Sequence, residues 1–274
     1  MNIKINKLFV VLILFFFISC ASENKKVPQT KTTTPLEILY KQGYDNFEKG
    51  SYQIAIDFFQ KVESDYSYTD WARKALLMKS FIYYDSSKYV EALENLQRYK
   101  KLYAGHKDLV YAEYLSAICV FEQLNFIGRD QLNAELSLRQ FEKIIKQYPN
   151  TIYAKESKFK IDLVMDQLAA REMYVAKYYQ NRGKWTASIQ RLNNILEKYQ
   201  TTIYVEEALH RLVEIHYKIG NMITAKKYAA ILGYNFNDSD WYKKSYKIIE
   251  RENISLKNSV NKSSLKEKLK NIFN

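Results

Sequence analysis

Apolar residues recur along this chain three and four positions apart, the spacing that places side chains on one face of a helix. Leu209, Leu212, Val213 and His216 fill i, i+3, i+4 and i+7 of one such stripe. A repeating punctuation interrupts the stripes. Gly50, Ser87, Gly183 and Gly220 each stand five residues before a small side chain, namely Ala55, Ala92, Ser188 and Ala225. Two residues after each punctuator comes a bulky one: Tyr52, Tyr89, Trp185 or Met222. Four residues past the small one lies Phe59, Leu96, Leu192 or Ala229. A fifth copy, without the glycine, carries Ser137, Phe141 and then Pro149. The five small anchors are separated by 37, 45, 51 and 37 residues.

Two antiparallel helices joined by a tight turn account for this order. Glycine permits the left-handed conformation that ends the first helix. The small residue lets the second helix approach closely, and the bulky one plugs the gap to the next pair. The pattern is similar to the tetratricopeptide repeat, with its A-x₃-F and late Pro on a period of about 34 residues. The chain therefore reads as all-α, a superhelical array of about five tetratricopeptide-like helix pairs. Spacings above that period predict longer helices or inserted loops, most clearly around Asn125–Asn133. Thr34-Pro35-Leu36-Glu37 supplies an N-cap, a proline for the first helical position and a capping-box glutamate. The array is expected to span 36–250. Seven Gly and three Pro are too few to punctuate a many-stranded β protein.

The chain's ends differ from the array. Leu8–Ile18 is an eleven-residue apolar run behind Lys4 and Lys7, followed by Ser19-Cys20-Ala21. This is the layout of a signal peptide, 1–19, and too short to span a bilayer. Phe17-Ile18-Ser19-Cys20 resembles a bacterial lipobox, with Phe at the position usually held by Leu. That resemblance implies lipid attachment at Cys20, a tether over 20–35 and a membrane anchor. Ala21, where an aspartate would signal inner-membrane retention, points to the outer membrane. With Cys20 lipidated, Cys119 is the one cysteine left, so no disulfide framework exists and a buried thiol is expected. The net charge is +12, and residues 243–274 carry nine Lys/Arg against three Glu. Anionic headgroups or acidic proteins suit an exported basic chain, and nucleic acid does not. In the tail, 251–274, Leu265, Leu269 and Ile272 share one side of a basic amphipathic segment that is either solvated or membrane-facing.

No catalytic constellation, metal site or cofactor motif emerges, so the chain reads as no enzyme. His210 and His216 are six apart on one helix, about 120° around its axis, and cannot share a metal on one face. The 24 tyrosines read mainly as plugs between helices, although a tyrosine-lined groove suits an extended peptide. Tyr66-Ser67-Tyr68 stands apart, because it falls past the first pair where a loop is expected.

Phe141–Asn150, Tyr178-Tyr179 with Arg182-Gly183 and Trp185, and Gly128-Arg129-Asp130 resemble the BamD family of outer-membrane β-barrel assembly lipoproteins. Leu232–Phe236 followed by Trp241-Tyr242 is similar to the C-terminal end of its alphaproteobacterial members. The likeness covers Cys20 and roughly 36–250. The family's Tyr-Pro turns are replaced by Tyr66-Ser67, Tyr199-Gln200 and Phe236-Asn237, and the tail has no counterpart. The resemblance implies a non-enzymatic scaffold on the periplasmic face of the outer membrane. It would bind the POTRA domains of a BamA-type barrel subunit and unfolded outer-membrane protein precursors. Arg191 matches a family arginine implicated in the BamA contact; without the resemblance it reads as a surface arginine. Tyr66 and Tyr68 match aromatics in the region linked to precursor recognition. A pilotin-like repeat lipoprotein assisting secretin assembly, and an envelope enzyme carrying a helical-repeat domain, are the alternatives.

Overall fold

The computed structural model describes residues 35–250; Cys20, the tether before Pro35 and the tail after Glu250 lie outside the described residues. Ten helices follow one another: α1 Pro35–Glu48, α2 Tyr52–Asp65, α3 Asp70–Asp85, α4 Tyr89–Leu102, α5 Leu109–Phe121, α6 Leu132–Gln147, α7 Ile152–Asn181, α8 Trp185–Lys198, α9 Tyr204–Lys218 and α10 Met222–Asn235. A further helical stretch, 240–250, closes the described chain. No strand occurs among the described residues. No described helix is long and apolar enough to cross a membrane.

The helices pair as α1/α2, α3/α4, α5/α6, α7/α8 and α9/α10, and each also packs on the next pair. Pro35 opens α1, as its fixed φ suits. Within four pairs the turn carries a positive φ, at Gly50 (+73°), Ser87 (+59°), Gly183 (+68°) and Gly220 (+79°). Ser87 thus adopts the glycine conformation without being glycine. All five small anchors, Ala55, Ala92, Ser137, Ser188 and Ala225, are fully buried. The larger residues four positions on, Phe59, Leu96, Phe141 and Leu192, are equally buried.

Between pairs a second device recurs. An aromatic residue caps every second helix: Tyr66, Tyr103, Tyr148, Tyr199 and Phe236, all near φ −125 to −141° and ψ 38 to 52°. Three residues later Thr69, Thr151 and Thr202 each donate their hydroxyl to the capping tyrosine's carbonyl at 2.7–2.8 Å. Thr69 and Thr151 then accept from the N–H of Ala72 and Ala154, capping the following helix. One aromatic-x-x-Thr turn thereby satisfies the orphan backbone groups of two helices.

The core is a series of clusters handed along the array. One gathers Ala55, Phe59, Val62 and Ile82; the next Leu76, Leu96, Tyr99 and Leu115; a third Val110, Phe141, Ile144 and Val164; a fourth Met173, Leu192, Leu212 and Ile215. Tyr52, Tyr89 and Trp185 pack as half-buried plugs at cluster edges. Cys119 is buried, and burial pushes its thiol up to about 12.

The irregular member is α7. Its 30 residues span about 45 Å, twice the ordinary length. It packs on α6 and on α8, while the backbones of α6 and α8 stay apart. The insertion between α5 and α6 folds back against α7: Gln167 Nε2 donates to the Asn125 carbonyl at 2.8 Å. A Cβ at Gly128 would lie 3.8 Å from the Tyr174 ring, so the insertion's turn runs along that side chain.

Candidate functional site

The turn between α2 and α3 separates the two tyrosines singled out by sequence. Tyr66 is half-buried and serves as the α2 cap, its N–H bonding the Val62 carbonyl at 3.2 Å. Tyr68 is 99% exposed and sits at φ +66°. A left-handed backbone costs a bulky residue about 1–2 kcal/mol, and an aromatic ring held fully in water gains nothing from burial. Packing of the fold gives no account of this arrangement, which makes Tyr68 the candidate contact residue of the turn.

Tyr68 forms the lip of a pocket of about 230 Å³ lined by Glu63, Ser67, Ala72, Arg98, Leu102 and Tyr103. The pocket lies between the ends of α2 and α4. Its walls are apolar and its floor is charged. Glu63 is buried, and its carboxylate accepts from Lys79 Nζ at 2.9 Å. Arg98, about half exposed, forms an ion pair with the same carboxylate. Lys79 is 3% exposed and also donates to Gln60 Oε1. Burial pushes the Lys79 ammonium down to about 8. Two cations thus share one anion, and of the two Arg98 lines the pocket while Lys79 lies buried behind it. An incoming carboxylate would meet Arg98, and the apolar wall would take an aromatic or aliphatic side chain. Of the tyrosines expected here, Tyr68 lines the pocket and Tyr66 supports the turn. Glu63, Lys79 and Arg98 escaped the sequence reading, since they are brought together from three helices with no local spacing between them.

Arg191 lies on α8, in the fourth pair. Its Nη1 reaches both Glu172 oxygens, at 3.1 and 3.4 Å, and Asn194 Nδ2 donates to the same carboxylate at 3.2 Å. The guanidinium is partly exposed. It is therefore held in place by α7 rather than extending freely into solvent.

At the C-terminal end, His210 Nδ1 lies 2.8 Å from Ser245 Oγ and its Nε2 3.5 Å from Glu214. A serine, an imidazole and a carboxylate in line suggest nucleophilic chemistry. Ser245 has no exposed surface and His210 packs against the Trp241 ring, centroids 5.1 Å apart, so no substrate can reach the hydroxyl. The three residues pin the stretch 240–250 onto α9. Glu207 and Glu214 are further held by Arg211, and Glu207 by Lys177. Among the described residues no group of three His, Cys, Asp or Glu could hold a metal ion.

The YfiO family, described as "Outer membrane lipoprotein", matches residues 33–232. The outer membrane protein assembly factor BamD of Caulobacter vibrioides is 38% identical over 87% of this chain and 78% of its own length. The protein of the same name from Rickettsia prowazekii is 32% identical over 90% of this chain and 98% of its own. Among solved structures, the TPR domain of P58(IPK) overlaps 78% of this chain and 56% of its own, at 15% identity and a TM-score of 0.40.

Proposed function

Because the chain belongs to the YfiO family of outer membrane lipoproteins and its relatives are named assembly factors, we propose that it is a non-enzymatic scaffold for inserting β-barrel proteins into the outer membrane. Lipidation at Cys20 holds it to the periplasmic face of that membrane. Its N-terminal pairs capture unfolded barrel precursors through the Tyr68 pocket. The face of α8 around Arg191 receives the POTRA domains of a BamA-type subunit.

The observation that carries this reading is Tyr68, exposed and conformationally costly above a largely apolar pocket lined by the half-exposed Arg98. An aromatic-rich segment bearing a carboxylate matches both wall and floor. Arg191, already oriented by Glu172 and Asn194, offers a partner a fixed guanidinium at little further entropic cost.

The test uses Tyr68→Gly in the full chain. Glycine removes the ring and relieves the left-handed backbone, so stability should rise by about 1 kcal/mol while capture of an unfolded barrel precursor falls. A variant that is more stable and binds worse cannot be explained by damage to the fold. Undiminished capture removes the pocket from the proposal. For the anchor, Cys20→Ala should abolish palmitate incorporation. For the partner face, Arg191→Ala should weaken binding to purified POTRA domains.

A further inference from the structure

The described residues contain eight arginines. Five have a carboxylate partner: Arg73, Arg98, Arg139, Arg191 and Arg211. The other three, Arg129, Arg171 and Arg182, have none among the described residues; Arg171 lies in the second half of α7, Arg182 caps its C-terminal end, and Arg129 is on the insertion that runs along it. The Arg171 guanidinium lies 5.9 Å from the centre of the Tyr174 ring, and the Arg182 guanidinium 4.3 Å from that of Tyr178. Tyr174 and Tyr178 are each about half exposed. Arg129 follows Gly128 on the turn against Tyr174, and its N–H bonds the carbonyl of Phe126, whose ring is 70% exposed.

On a helix, positions 171, 174, 178 and 182 fall within an arc of about 80°, so they form one stripe. Arg171 and Arg182 are about 16 Å apart along it. Stacking on a tyrosine restrains a guanidinium without neutralising it, leaving its planar donor fork ready for a carboxylate. Tyrosine and arginine are also the residues enriched where proteins meet proteins. We propose that this stripe is a docking surface for an extended acidic segment of a partner protein, with carboxylates four residues apart, an even spacing that keeps both on one face and about 13 Å apart, within reach of the two long arginine side chains. An anionic bilayer would be attracted to positive charge without regard to its geometry. The cations here are instead fixed in line over rings, which favours a peptide. This surface is distinct from the Tyr68 pocket and from Arg191.

The experiment titrates the full chain with the labelled, end-capped peptide Glu-Tyr-Thr-Tyr-Glu and with its glutamine counterpart Gln-Tyr-Thr-Tyr-Gln. Vesicles of mixed phosphatidylethanolamine and phosphatidylglycerol form a separate arm. Binding of the acidic peptide alone is expected, weakening with salt. Arg171→Gln and Arg182→Gln should each weaken it on the order of tenfold with unchanged melting temperatures, because neither guanidinium holds an internal carboxylate. Arg171→Lys with Arg182→Lys keeps the charge without the fork and should fall in between. Tyr68→Gly should leave this binding intact, so the pocket and the stripe can fail independently. Equal binding of the two peptides overturns the proposal, as does indifference to the arginines. Loss of vesicle binding alone in the glutamine variants also overturns it and makes the stripe a membrane-facing surface.

Discussion

Glu63→Ala removes the carboxylate that Lys79 and Arg98 share beneath the Tyr68 pocket. Arg98 is about half exposed and can turn outward into water, so its share of the loss is small. Lys79, 3% exposed, cannot, and its remaining acceptor is Gln60 Oε1. Removing one member of a buried pair costs roughly 3–5 kcal/mol, because the other charge is left desolvated. Total stabilities run to about 5–15 kcal/mol, so the loss is a large fraction. At about 2–4 °C per kcal/mol for a chain of this size, the melting midpoint should fall by roughly 6–20 °C. Glu63→Leu combined with Lys79→Met exchanges the pair for apolar volume and should recover most of it. The assay is urea and thermal unfolding, followed by circular dichroism, of parent, both singles and the double. A pH series adds a second readout. The folded state holds Lys79 near 8, below the ordinary 10.5, so the unfolded chain binds the extra proton between those values. Stability from this group therefore rises with pH across that window, and the rise should vanish in Lys79→Met. A Glu63→Ala protein within about 0.5 kcal/mol of the parent would refute the argument.

Three further outcomes are expected. Ser87→Gly should stabilise by about 1 kcal/mol, since Ser87 sits at φ +59° in a turn where three other pairs use glycine; a lower urea midpoint would contradict this. Ser188→Leu should destabilise by at least 1–3 kcal/mol through overpacking, because Ser188 is fully buried and its hydroxyl donates to the Ala176 carbonyl at 2.9 Å; thermal melting reads it. Burial tends to raise the Glu214 carboxyl, but His210, Gln180 and Arg211 outweigh it and hold it near 2. Its stabilising contribution is present above its ordinary 4.5 and lost as pH falls through about 2, so Glu214→Gln should flatten acid unfolding in that window.

The array was legible because its geometry rests on residues whose type alone is constrained. A position at φ +73° asks for glycine, and a helix crossing with no room asks for alanine or serine, so Gly50, Ala55, Ala92 and Ser188 announce themselves. The insertion around Asn125–Asn133 was legible from the stretched spacing, and helices α5 and α6 end and begin on either side of it. The aromatic-x-x-Thr turn was equally readable in Tyr66–Thr69, Tyr148–Thr151 and Tyr199–Thr202 but went unnoticed as a repeat. The charged floor of the pocket was not readable. Glu63, Lys79 and Arg98 come from three helices, and solvated lysines and glutamates look the same in sequence as buried ones. Likewise the Glu172 partner of Arg191 lies nineteen positions away on another helix, which no local pattern connects.

The unbroken course of α7 turns the two halves of the array into parts of a phased device. α6 packs on it from one side and α8 from the other, and the backbones of α6 and α8 stay apart. The angle between the Tyr68 pocket and the Arg191 face is therefore set by how many residues α7 contains. Each residue added to or removed from its middle turns one half against the other by about 100° and shifts it about 1.5 Å. Seven residues restore the phase to within about 20° while lengthening the separation by about 10 Å. Any length change in the middle of this helix must re-seat the buried face that runs from Ala154 to Ala176, and only near-heptad steps would also keep the relation between the Tyr68 pocket and Arg191.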